Sequence, residues 1–118
     1  MVNEKKNLYW IGSSKEDLKK FPSEVKEEVG YALYLAQCGG KHLNSKPLKG
    51  FSGAGVIEII ENFDTDAYRV VYTVRFKNLV YILHAFQKKS KSGIKTPKKD
   101  ISIVNSRLKM AEVHFSLI

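Results

Sequence analysis

Three runs with strand character lie almost end to end between residues 56 and 86. They constrain the fold of this chain more than any other feature. The runs are Val56–Glu61, Tyr68–Phe76 and Leu79–Phe86. The connections, residues 62–66 and Lys77-Asn78, are polar and short enough for hairpins, so consecutive antiparallel strands are expected. The middle run alternates. Tyr68, Val70, Tyr72, Val74 and Phe76 fall on one face; Arg69, Val71, Thr73 and Arg75 fall on the other. The last run is apolar on both faces, which suits a central, covered strand.

Helical spacing flanks this block. Val25, Val29, Ala32, Leu33 and Ala36 form one stripe, opened by Pro22 and closed by Gly39-Gly40. Ile101, Val104, Leu108, Ala111 and Phe115 form a second stripe, for which Thr96 is the expected N-cap and Pro97 the first helical residue. Asn7–Gly12 reads as a first strand, and Ser13 or Ser14 as the cap of a short helix reaching Phe21. Residues 41–55, with Pro47 and several glycines, read as a loop. The expected order is β-α-α-β-β-β-α: an α+β domain, a mostly antiparallel sheet with the helices packed on one face.

At 118 residues the chain fits a single domain, 1–118, with a core that needs no disulfide or structural metal. Its apolar runs are too short to span a membrane, and no apolar segment follows Met1–Lys6 as a signal peptide would require. A cytoplasmic location is expected. The one cysteine, Cys38, excludes an internal disulfide and a multi-cysteine zinc site, and reads as a packed small hydrophobe. His42, His84 and His114 lack ligand spacing, so no metal and no cofactor is expected. The glycines at 50, 53 and 55 lack the spacing of a nucleotide-binding loop.

The net charge of +8 is uneven. Residues 1–66 carry nine basic and ten acidic groups; residues 67–109 carry eleven basic groups against Asp100 alone. A polyanionic partner would relieve the self-repulsion of the second half.

Several strings, taken in order, resemble the RelE/ParE toxin superfamily of bacterial toxin–antitoxin modules, and within it the phage-derived HigB-like branch. They are Lys46-Pro47-Leu48-Lys49-Gly50, Gly55-Val56-Ile57-Glu58-Ile59, Tyr68-Arg69-Val70-Val71-Tyr72, and His84-Ala85-Phe86-Gln87-Lys88-Lys89-Ser90 followed by Thr96-Pro97. The resemblance covers roughly residues 7–112. It implies a RelE-like fold and a toxin neutralised by a cognate antitoxin, commonly a helix-turn-helix protein. It also implies a metal-independent endoribonuclease acting on mRNA, often at the ribosome, and so inhibiting translation. ParE-like relatives instead inhibit DNA gyrase, and a non-catalytic RNA-binding protein is the third reading.

RNA cleavage without metal needs a base for the ribose 2′-hydroxyl, a cation for the phosphate and an acid for the leaving oxygen. The resemblance points to Arg69 as the phosphate-clamping group, with an ion pair to Glu58 or Glu61 as its alternative role. Lys88 or Lys89 is the candidate proton donor or phosphate holder. His84 is a candidate acid or base, or else a buried hydrogen-bonded histidine. Glu58 is a candidate base or a partner of Arg69. Arg75, Lys91, Lys95, Lys98 and Lys99 are candidate RNA-binding residues. Lys98 and Lys99 fall where a helix N-terminus disfavours cations and attracts an anionic backbone. The apolar stretch Met110–Ile118 either packs on the domain or docks the antitoxin.

Overall fold

The computed structural model describes residues 5–51, 53–89 and 95–118. It contains β1 (Asn7–Trp10), α1 (Ser14–Lys19), α2 (Ser23–Gln37), β2 (Ser45–Pro47), β3 (Val56–Phe63), β4 (Asp66–Thr73), β5 (Leu79–Lys88) and α3 (Lys98–Ser116). The strands form one sheet in the order β1-β5-β4-β3-β2. β1 runs parallel to β5, and every other pairing is antiparallel. The α+β class and the expected element order stand, with one addition. The segment expected as a loop at 41–55 contains β2, three residues paired with Ile57–Ile59. Pro47 donates no hydrogen bond, so it suits this edge position.

The expectation that all helices pack on one face is corrected. α2 lays Val25, Val29, Ala32, Leu33 and Ala36 against Ile59, Val70, Tyr72, Val80 and Ile82. α3 lays Val104, Leu108 and Ala111 against Val71, Tyr81 and Leu83 on the opposite face. The period of two sends neighbouring residues of β4 and β5 to opposite sides, and both sides are apolar enough to need a cover.

The hairpin between β3 and β4 turns at Asp64 and Thr65, with Asp64 in the left-handed region at φ 55°. Aspartate tolerates that conformation through its short polar side chain. β4 ends at Thr73, short of the expected Phe76. The Arg75 N–H donates to Thr73 Oγ1 at 3.2 Å, a local bond that competes with the ladder. Beyond that point the alternation fails: Val74 stays with the α2-side core, whereas Phe76 joins the α3-side core. The pairing of β4 with β5 shifts between Val71, opposite His84, and Tyr72, opposite Ile82. Leu83 is therefore the extra residue of a bulge. Leu83 belongs to the α3-side core, and His84 bonds to α3.

The start of β1 is tied to the end of α2. Lys6 N–H donates to the Gln37 carbonyl at 2.9 Å, and Gln37 Nε2 donates to the Lys6 carbonyl at 2.7 Å. α1 ends at Lys19, before Phe21, and Ser14 Oγ donates to the Ile82 carbonyl at 3.2 Å. Cys38 caps α2 and is exposed, not packed. No helix among the described residues is long and apolar enough to cross a membrane.

Ile82 is fully buried between α2 and the sheet. Ile82→Ala should lower the unfolding free energy by about 2–5 kcal/mol, read from urea denaturation. Burial also raises the Tyr72 phenol above its ordinary value of 10.0. The fold therefore favours the neutral phenol. That contribution is fully present below pH ~10 and is lost as pH rises from there through the raised folded value. Thermal melts from pH 8 to 11 should show a smaller alkaline loss of stability in Tyr72→Phe than in the wild type.

Candidate functional site

A cavity of about 560 Å³ opens between two walls. One wall is Lys46–Gly50, from β2 and the turn after it; the other is Lys95–Lys98 with Ile101, at the start of α3. Glu58 of β3 also lines the cavity. Lys46, Lys49, Lys95 and Lys98 are all exposed, whereas Glu58 is only 1% exposed. The site is thus a buried carboxylate with four ammonium-bearing side chains around its mouth.

Glu58 reaches this position through register. It pairs with Lys46 across β2 and with Val71 across β4. Arg69, two residues before Val71, lies diagonally opposite on the same face. Its NH1 contacts Glu58 Oε2 at 3.4 Å and donates to Thr96 Oγ1 at 3.3 Å. The Thr96 hydroxyl donates to the same Glu58 oxygen at 2.9 Å. Thr96 is therefore not the expected N-cap. Pro97 takes that place, with no side-chain capping bond, and its carbonyl accepts the N–H groups of Asp100 and Ile101.

The other sequence candidates separate. Arg69 is 3% exposed and pairs with Glu58, the alternative role expected for it. His84 lies outside the cavity. Arg107 has no acceptor, so its NH1, 3.5 Å from His84 Nδ1, makes that nitrogen the acceptor. His84 Nε2 then donates to Asp100 Oδ1 at 2.7 Å. Both ring nitrogens are engaged, the ring stacks on Phe86, and the residue acts as a strut between β5 and α3. Arg107 extends the strut, donating to the Leu83 carbonyl at 3.0 Å and to Ser13 Oγ at 3.0 Å. Lys88 is half-buried, and its Nζ donates to the Lys95 carbonyl at 3.1 Å. Lys89 is exposed at the end of β5. Arg75 pairs with Glu112 at 2.7 Å and lies over the Phe76 ring, outside the cavity. Lys99 is exposed on the first turn of α3 but does not line the cavity. Lys91 lies outside the described residues.

Sequence reasoning missed Lys46, Lys49 and Thr96 as parts of one site. The Lys46–Gly50 string marked a family resemblance but carried no assigned role. Its two lysines also fall in the half of the chain that is nearly neutral.

One cluster has the composition of a metal site: Glu28, His42 and Glu61. Its hydrogen bonds argue against that use. The Asn44 N–H donates to His42 Nδ1 at 3.0 Å, so Nε2 carries the proton and donates to Glu28 at 3.0 Å. A metal-ligating histidine has the reverse arrangement, with its second nitrogen donating.

A five-stranded, mostly antiparallel sheet covered on both faces, with a lysine-rimmed acidic cleft, defines a small α+β protein. A family model described as "Phage derived protein Gp49-like (DUF891)" matches residues 16–109. The chain belongs to that phage-derived Gp49-like family, and its fold is similar to that of a RelE toxin. An arginine-to-alanine double mutant of the Escherichia coli toxin RelE in the free state superposes with a TM-score of 0.56 at 19% identity. That match covers 91% of this chain and 97% of RelE. The RelBE2 toxin–antitoxin complex of Mycobacterium tuberculosis matches at a TM-score of 0.47 and 20% identity. It covers 71% of this chain and 99% of that one. No curated protein sequence matches significantly.

Removing one member of a buried ion pair strands the other. Arg69→Ala should therefore lower the unfolding free energy by about 3–5 kcal/mol in urea titration. A loss below about 1 kcal/mol would mean that the pair is solvated.

Proposed function

We propose that this protein is the toxin of a toxin–antitoxin module and a metal-independent endoribonuclease whose active centre is the lysine-rimmed cleft at Glu58. The observation that carries the proposal is the cleft itself, four lysines around a buried carboxylate, on a RelE fold. In this reading the cleft takes single-stranded RNA, as mRNA on the ribosome. Lysine ammonium groups hold the scissile phosphate as point charges and stabilise the charge that builds on it. Glu58 takes the proton of the ribose 2′-hydroxyl. The new bond joins O2′ to phosphorus, the bond to O5′ breaks, and a lysine ammonium protonates the departing O5′. Arg69 and Thr96 orient Glu58 from behind, and no step requires a metal or cofactor. Lys88 holds the Lys95 wall through its carbonyl. Lys89, Lys91 and Lys99 are left to contact the RNA backbone further along, and the Arg75–Glu112 pair is left outside the reaction.

The antitoxin belongs to the same proposal. α3 turns Ala111 inward while Met110, Val113 and Leu117 stay exposed, at 50%, 59% and 78%. They follow helical spacing and line a shallow apolar groove with Lys109 and His114. Exposed apolar surface of this kind, on a protein of charge +8, suits a partner with an apolar face and acidic flanks.

Incubation with mRNA and ribosomes, followed by mapping of 5′ ends, tests the reading. The wild type should create new ends, and Glu58→Gln should reduce them by about 10²-fold or more. Intact mRNA with inhibited gyrase supercoiling would replace this reading with the gyrase-directed one. Removing both Lys95 and Lys98 should weaken RNA binding. It should also flatten the slope of log Kd against log salt by about 0.7 for each phosphate that is no longer neutralised. Filter binding from about 50 to 200 mM salt measures that slope.

A further inference from the structure

We propose that Thr96 is a positioning residue: a latch that fixes the lysine-bearing start of α3 to the buried Glu58–Arg69 pair and so holds the two walls of the cleft in register. Its catalytic consequence rests on the ribonuclease reading; the latch itself does not.

The first observation is what Thr96 does not do. A threonine before a proline at a helix start is well placed to cap the helix with its hydroxyl. Here the helix begins at Lys98 without a side-chain cap, and the hydroxyl is engaged elsewhere. The second observation is the direction of its bonds. A threonine hydroxyl has one proton and two lone pairs, and an arginine only donates. Arg69 NH1 donates into Thr96 Oγ1 at 3.3 Å, so the hydroxyl proton points to Glu58 Oε2 at 2.9 Å. The chain of donation runs one way, from guanidinium through hydroxyl to carboxylate. Thr96 thus bonds both members of the buried pair at once.

The third observation concerns the walls. Glu58 is the register partner of Lys46 on β2, which supplies one wall. Thr96 lies between Lys95 and Lys98 of the other wall. One carboxylate therefore references both walls, β2 through strand pairing and α3 through the Thr96 hydroxyl. On either side of the latch the α3 segment is pinned again. Lys88 Nζ bonds the Lys95 carbonyl, and His84 bonds Asp100. Neither of those bonds involves Glu58. Without the hydroxyl the start of α3 keeps its anchor to β5 but loses its reference to the carboxylate.

The test compares Thr96→Val, which keeps the branched shape and removes the hydroxyl, with Thr96→Ser, which keeps the hydroxyl and removes the methyl. Hydrogen exchange on the full chain is the readout that does not depend on activity. The amides of Asp100 and Ile101, bonded to the Pro97 carbonyl, should exchange about fivefold or more faster in Thr96→Val, which removes both hydrogen bonds of the hydroxyl. Those of Val70 and Ile82, in the core, should be unchanged, which separates a local effect from misfolding. Thr96→Ser should match the wild type. In mRNA cleavage on ribosomes, Thr96→Val should lose about tenfold or more in kcat, with affinity for a labelled single-stranded RNA held within about twofold. Equal impairment in both variants would overturn the proposal by assigning the effect to the methyl group. Unchanged exchange in Thr96→Val would overturn it outright. A loss confined to RNA affinity would make Thr96 an RNA-touching residue instead and overturn its positioning role. If the wild-type chain cleaves nothing, the ribonuclease reading falls, and the exchange comparison still decides whether the latch exists.

Discussion

The sheet has to be covered twice, and its two covers are made differently. The face under α2 is apolar where it packs: Ile59, Val70, Tyr72, Val80 and Ile82 meet valine, alanine and leucine. The face under α3 carries Glu58, Arg69, Thr73 and His84 among its apolar residues, all buried. Burying those groups without partners would cost several kcal/mol each, so the position of α3 is dictated by polar pairing as well as by burial. Its first turn supplies Asp100 to His84, and the residue two before the helix supplies Thr96 to Glu58 and Arg69. Its middle supplies Arg107 to the Leu83 carbonyl, exposed to it at the β5 bulge. The second half of the helix adds apolar packing of Leu108, Ala111 and Phe115 against Phe76 and Tyr81, beside the Arg75–Glu112 pair and a 2.7 Å hydrogen bond between Tyr81 and His114.

This division explains which parts of the fold are legible in the sequence. A helical stripe depends on spacing within one segment, and both stripes face the core as their spacing indicates, with Ile101 and Phe115 only partly buried. A strand's alternation is equally local, and it correctly separates Arg69 and Val71 from Val70 and Tyr72. Which helix covers which face is not local. The apolar character of both faces of Leu79–Phe86 already implies a layer on each side, and it conflicts with packing every helix on one. β2 is invisible to periodicity because three residues ending in proline carry no period of two; its existence depends on the free edge of β3. Thr96 misleads for a related reason. A hydroxyl before Pro97 has a local use as a cap, and only the tertiary fold brings Glu58 within 2.9 Å to compete for it.

The same reasoning applies to charge. Dividing the chain at residue 66 gives a neutral first half and a basic second half, and the cleft draws lysines from both. Lys46 and Lys49 come from the neutral half because, apart from the buried Glu58, most of the acids that balance them numerically do not line the cleft. Glu24, Glu27 and Glu28 are on α2, on the other side of the sheet from α3. Net charge by segment measures the chain, whereas a phosphate meets the charges that share a surface. Arg69 shows the converse case. Alternation places it correctly on the α3 face, but charge alone suggests exposure, and the helix that covers the face turns the guanidinium into the internal partner of Glu58. In the ribonuclease reading proposed above, the buried arginine sets the direction of the carboxylate, and adaptable surface lysines meet the substrate. On that reading, rigid groups behind and adaptable point charges in front would let one cleft hold a flexible backbone without rebuilding its own core for each sequence.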